Sequence, residues 1–126
     1  MYIAMAADFP PSARLHRPSE YAAALRGRRV ARGALFVVHQ GRETALQPQP
    51  QARLGLIIPK RLARLAVVRN AIKRVVREAW RQQRHSLPAT DLVFRLVARP
   101  PQGSLRVIKR AVRQEADALL ARVIRC

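Results

Sequence analysis

From Val67 to Arg84 the chain contains neither glycine nor proline, and its side chains sort onto two sides of a helix when placed at about 100° per residue. Val68, Ile72, Val75, Val76, Ala79 and Trp80 gather on one side. Arg69, Asn70, Lys73, Arg74, Arg77, Arg81 and Arg84 gather on the other, with Glu78 the one acid in the run. A solvated helix face ordinarily mixes signs, because like charges four residues apart repel by a few tenths of a kcal/mol each. Arg69, Lys73, Arg77 and Arg81 form such a repelling row. The pattern suits a face that meets a polyanion better than one that meets only water.

The whole chain carries the same bias. Its 126 residues suit one domain with one modest core. Lys and Arg number 25 against 7 acids, for a formal charge of +18, and 22 of the 25 are Arg. Guanidinium forks match phosphate bidentately and stack on bases, so nucleic acid is the fitting polyanion. A membrane is not, since no apolar run approaches about 20 residues. No signal peptide is recognisable, which makes the cytoplasm the expected compartment. The lone cysteine, Cys126, excludes an internal disulfide framework.

In order along the chain, residues 1–13 read as a flexible arm broken by Pro10-Pro11, and residues 14–126 as a single RNA-binding domain. Pro18 to Arg26 reads as a short helix that places Tyr21 and Leu25 on one face. Gly27 to Gly33 reads as a basic loop. Ala34 to His39 reads as a strand closed by Gly41, Gln47 to Gln51 as a loop, and Arg53 to Ile58 as a strand stopped by Pro59. Pro59 to Arg64 forms a basic connector into the long helix, which ends around His85 to Thr90. Asp91 to Ala98 is a third strand. Gly103-Ser104 opens a last helix, with Leu105, Ile108, Val112, Ala116, Leu119, Leu120 and Val123 on its apolar stripe. The order α-β-β-α-β-α predicts an α/β (α+β) two-layer sandwich with a small sheet of three or four strands.

Catalytic groups are scarce. His16, His39 and His85 lack metal-type spacing, and Glu115 and Asp117, two apart on a helix, do not face each other. No phosphate-binding glycine loop or nucleophile motif is present. As a self-sufficient enzyme the chain is poorly equipped.

The strand Arg53-Leu54-Gly55-Leu56-Ile57-Ile58, the pair Lys60-Arg61, and the helix Arg69-Asn70-Ala71-Ile72-Lys73-Arg74-Val75-Val76-Arg77-Glu78 together resemble the protein subunit of bacterial ribonuclease P. That family shows an R-x-G-like strand, a basic pair, and an R-N-R-x-K-R-x-x-R-E helix. Arg14-Leu15 with Tyr21, and Asp91-Leu92-Val93 followed by Arg99-Pro100, are similar to its flanks. Ala71 departs from the usual third-position Arg. The resemblance spans residues from about 14 to about 120.

The resemblance implies a division of labour. A catalytic RNA subunit hydrolyses precursor tRNA with Mg²⁺ ions held mainly by that RNA, releasing the 5′ leader. The protein alone is inactive, and no protein partner is required. It implies a small mixed sheet with a left-handed β-α-β crossover, an exception to the right-handed rule. Lys60, Arg61, Arg64, Arg69, Asn70, Lys73, Arg74 and Arg77 are the expected RNA-binding residues, reading shape through phosphates and sugars. Tyr21, Leu25 and His39 take the positions of a cleft for the single-stranded leader, where Tyr21 can stack and Leu25, standing for a usual aromatic, cannot. The alternative is a non-catalytic, ribosomal-type RNA-binding protein, which shares the charge and pattern but not the long helix signature. A DNA-binding module fits less well, because Val75, Val76 and Trp80 commit one side of the helix to packing.

Overall fold

A computed structural model of the chain describes residues 13–15, 17–43 and 52–125. The expected arm and the loop from Gln47 to Gln51 lie outside the described residues, apart from Ala13, which is fully buried in the core. The elements are α1 (Pro18–Leu25), β1 (Arg28–Arg32), β2 (Phe36–Glu43), β3 (Arg53–Ile57), α2 (Ala66–Gln83), a 3-10 turn (Arg84–Ser86), β4 (Thr90–Leu96) and α3 (Leu105–Arg125). They form a mixed four-stranded sheet in the order β1-β2-β4-β3. β1 and β4 pair antiparallel to β2, and β3 runs parallel to β4. Parallel neighbours need a long crossover, and α2 supplies it.

Alternation along the strands assigns each side chain to a layer. Phe36, Val38, Leu54, Leu92, Phe94 and Leu96 share one core with Ile72, Val76 and Trp80 of α2 and with Ile108, Val112 and Leu119 of α3. Phe36 and Phe94 meet edge to face at 5.9 Å. The opposite face carries a smaller cluster in which Leu15, Ala24 and Val93 pack with Tyr21, Leu25 and Ile57. Two glycines let α1 lie this close. A Cβ on Gly41 would stand 2.4 Å from the Ala24 Cα, and one on Gly55 would stand 2.7 Å from the Tyr21 ring.

Three readings of the sequence change. The basic loop from Gly27 to Gly33 contains β1, an edge strand whose Arg28, Arg29 and Arg32 are exposed and whose Ala31 faces the core. Charge on a sheet edge is tolerated because it discourages pairing with other chains. β2 does not stop at Gly41 but passes through it, under α1. Leu105 leaves the apolar stripe of α3 and is 36% exposed, while the other stripe residues are buried.

Candidate nucleic-acid interface

Burial of Ile72, Val76, Ala79 and Trp80 fixes the rotation of α2 and turns its cations outward. They divide into two rows. Lys73 and Arg77 lean toward β3, where they line a cleft of about 120 Å³ with Arg14, Leu15, Tyr21 and Leu54. Asn70 and Arg74 lean toward α3 and share a groove with Lys109. Lys73, Arg74 and Arg77 have no carboxylate partner among the described residues. Burial first, then the neighbouring charges of Arg14 and Arg74, lower the proton affinity of the Arg77 guanidinium from its ordinary value. A phosphate placed here would relieve that crowding.

Lys60, Arg61 and Arg64 are exposed on the connector, which turns where Leu62 and Ala63 donate to the Pro59 carbonyl. Arg69 differs from its neighbours. Its Nη1 donates to the carbonyls of Ala63 (2.9 Å) and Arg64 (2.7 Å), tying the connector to the first turn of α2.

The α1 side of the sheet brings Tyr21, Leu25 and His39 together. The half-buried Tyr21 ring rests on Gly55, and its hydroxyl donates to the Leu15 carbonyl at 3.4 Å. Leu25 packs into the small cluster around Val93, and Val93 is the cross-strand partner of His39. His39 is only 3% exposed. Burial, followed by the charges of Arg95 and Arg29, pushes its pKa below the ordinary value. Its Nε2 accepts from Arg95 Nε at 3.2 Å, so the neutral ring carries its proton on Nδ1, an atom with no hydrogen-bond partner among the described residues.

Sequence reading missed how this side is held. Arg53 donates through Nε and Nη2 to both Asp91 oxygens, at 2.7 and 2.8 Å, and through Nη1 to Glu20 of α1 at 2.8 Å. The Asp91 hydrogen bond is the chief influence raising the Arg53 pKa, against burial, which lowers it. Arg53 and Asp91 are register partners at the starts of parallel strands, and opposite charge at both starts was the available signal. Arg14, which lines the cleft, and Arg29 and Arg95, whose charges act on His39, were missed as well.

No three metal-binding side chains converge among the described residues. The described carboxylates are engaged elsewhere. Glu20 and Asp91 bind Arg53, Glu78 binds Arg81, Asp117 binds Arg113, and Glu115 accepts from the backbone N–H groups of Leu35 and Phe36. Such a donor set does not fit a catalytic metal. No described helix is long and apolar enough to cross a membrane.

Fold and face together define a small α+β protein that presents a row of cations without carboxylate partners on one helix beside a cleft, a face suited to RNA. Residues 9–124 match the family model for ribonuclease P. The chain is 56% identical over 119 residues to the ribonuclease P protein component of Bordetella avium, covering 94% of this chain and 98% of that one. It is 52% identical over 120 residues to the component of Bordetella parapertussis, with the same coverage. The RNase P protein of Staphylococcus aureus has the same fold, with a TM-score of 0.70 at 23% identity over 89% of this chain and 97% of that one. The Thermotoga maritima protein, solved with 1-(4-fluorophenyl)-2-thiourea, gives 0.54 at 18% identity over 79% and 92%. This chain belongs to the ribonuclease P protein family.

Proposed function

We propose that the chain binds the catalytic RNA of ribonuclease P through its connector and α2, and the 5′ leader of precursor tRNA in the cleft under α1. The observation carrying this reading is the contrast between unpartnered cations and engaged acids. Lys73, Arg74 and Arg77 await an anion, while each carboxylate described above already holds a partner. A protein so arranged holds RNA and leaves hydrolysis to another component. That component is the RNA subunit, with divalent ions such as Mg²⁺ bound mainly to it, and the cytoplasm is where the two meet.

Each group then has a task. Lys60, Arg61, Arg64, Asn70 and Arg74 contact phosphates and sugars of folded RNA, which fixes orientation without reading sequence. Arg69 positions the connector. Lys73 and Arg77 stand between that surface and the cleft, where Tyr21 stacks on a leader base. Leu25 supplies an apolar wall, and the buried His39 accepts from Arg95 and so steadies a cation on this side of the sheet.

The test is reconstitution with catalytic RNA and leader-bearing precursor tRNA in Mg²⁺ buffer. Cleavage at the mature 5′ end by the mixture, and none by RNA-free protein, is the expected result. Specific cleavage by the protein alone would overturn the division of labour.

A further inference from the structure

The large exposed hydrophobic residues of the described chain collect at the starts of α2 and α3. Leu65 is 64% exposed, Val67 56%, Leu105 36% and Val107 46%. Val67, Ala71 and Leu105 line a groove of about 430 Å³ whose rim is Asn70, Arg74 and Lys109. The groove continues between the helices past Val75 to Arg110. Single apolar side chains on a surface need no explanation, but several side by side mark an interaction site.

Charge decides what fits. The one acid in the groove, Glu78, is bound by Arg81 and Gln82. Arg113 is held by Asp117 and by Gln82. Arg74, Lys109 and Arg110 have no ion-pair partner among the described residues. The occupant therefore has a flat apolar part for the floor and negative charge for the rim. A nucleotide has both, and the volume falls within the range of small-ligand sites. Ala71 leaves the floor open, and the Asn70 amide offers a donor and an acceptor to a base edge.

We propose that an unstacked nucleotide of the catalytic RNA inserts its base between α2 and α3, over Ala71, while Lys109 and Arg110 hold the adjoining phosphates. This rests on the reading of the protein as a partner of that RNA, and it brings α3 into the interface. Recognition here differs in kind from the phosphate contacts of α2, because it depends on an exposed base and hence on a bulge or loop.

The experiment measures affinity for the transcribed catalytic RNA, its salt dependence, and chemical protection of RNA bases. Val67→Ser, which removes an apolar contact, and Ala71→Leu, which fills the floor, should each weaken binding about tenfold. Their log–log salt slopes should match wild type, and at least one base protected by wild type should become reactive. Joint replacement of Lys109 and Arg110 by Ala should weaken binding and flatten the slope by just under one unit per cation, roughly two in all. Ala71 is buried, so its variant is read only if its melting curve is cooperative. Val67→Ser, at an exposed site, decides the question otherwise. Unchanged affinity in the Val67 and Lys109/Arg110 variants would overturn the proposal and leave the groove to a protein partner. Loss confined to the cation variant would overturn base insertion. Failure of the wild type to bind the RNA at all would instead sink the proposed function.

Discussion

Phe36, Val38, Leu92, Phe94 and Leu96 look into one layer of the molecule, and Val37, His39, Asp91, Val93 and Arg95, on the same two strands, look into the other. The first set meets two helices of 18 and 21 residues and is dry and aromatic. The second meets α1, which has eight residues. Helices shorter than about 12–15 residues are marginal in water, so α1 depends on what it touches. Its apolar contact is small, and the Glu20–Arg53–Asp91 contact supplies the anchorage that hydrophobic area does not. One face thus carries stability. The other uses polar burial to hold a cleft in shape.

Four changes bear on that contrast. Trp80→Ala, on the dry face, should cost about 3–5 kcal/mol, as core aromatic truncations do, measured by urea denaturation. A loss below 1 kcal/mol would erase the distinction. Asp91→Ala strands a buried guanidinium that keeps only Glu20, and should cost about 1.5–3 kcal/mol. Its signature is local, in that the amides of α1 should lose hydrogen-exchange protection before those of α2. Uniform loss across both helices would mean that the ion contact serves the whole fold.

Tyr21→Ala should weaken binding of leader-bearing precursor by about 1–3 kcal/mol while the holoenzyme's affinity for mature tRNA stays the same. Equal loss for both RNAs would remove the leader from this face. The smallest effect is titration. His39 has a lowered pKa when folded, so below its unfolded value, ordinarily 6.5, the unfolded chain takes up a proton that the folded chain resists. Stability should fall as pH drops through that value and level off below the folded pKa. His39→Gln should reduce this dependence in melting curves between pH 8 and pH 5, taken as a test range of about three units.

Much of the dry face was legible because one period decides it. The 3.6-residue repeat places Ile72, Val76 and Trp80 inward whatever the rest of the chain does. β1 was not legible, because Arg28, Arg29 and Arg32 between two glycines look like a loop until an edge position makes exposed charge acceptable. The cationic row of α2 could be read as a row, but not its division. Whether an arginine reaches outward or, like Arg69, turns back onto carbonyls depends on where the connector runs. The Arg53–Asp91 pair spans 38 residues and exists only through the parallel register of β3 and β4. Leu105 fitted the stripe of α3 by spacing, yet the first turn of that helix overhangs the groove instead of the sheet.

The chain has a single tryptophan, and Trp80 lies wholly inside the dry core, with the Arg84 guanidinium 5.7 Å from its ring. Excited at the red edge of its absorption, where the two tyrosines absorb little, the indole gives a fluorescence readout from one known place without added label. Unfolding exposes the indole to water and shifts that signal. A leader bound in the proposed cleft, on the far side of the sheet, would not touch it. Titration with leader oligonucleotide and titration with denaturant can thus be separated in one cuvette, the first by a probe on the ligand and the second by the indole.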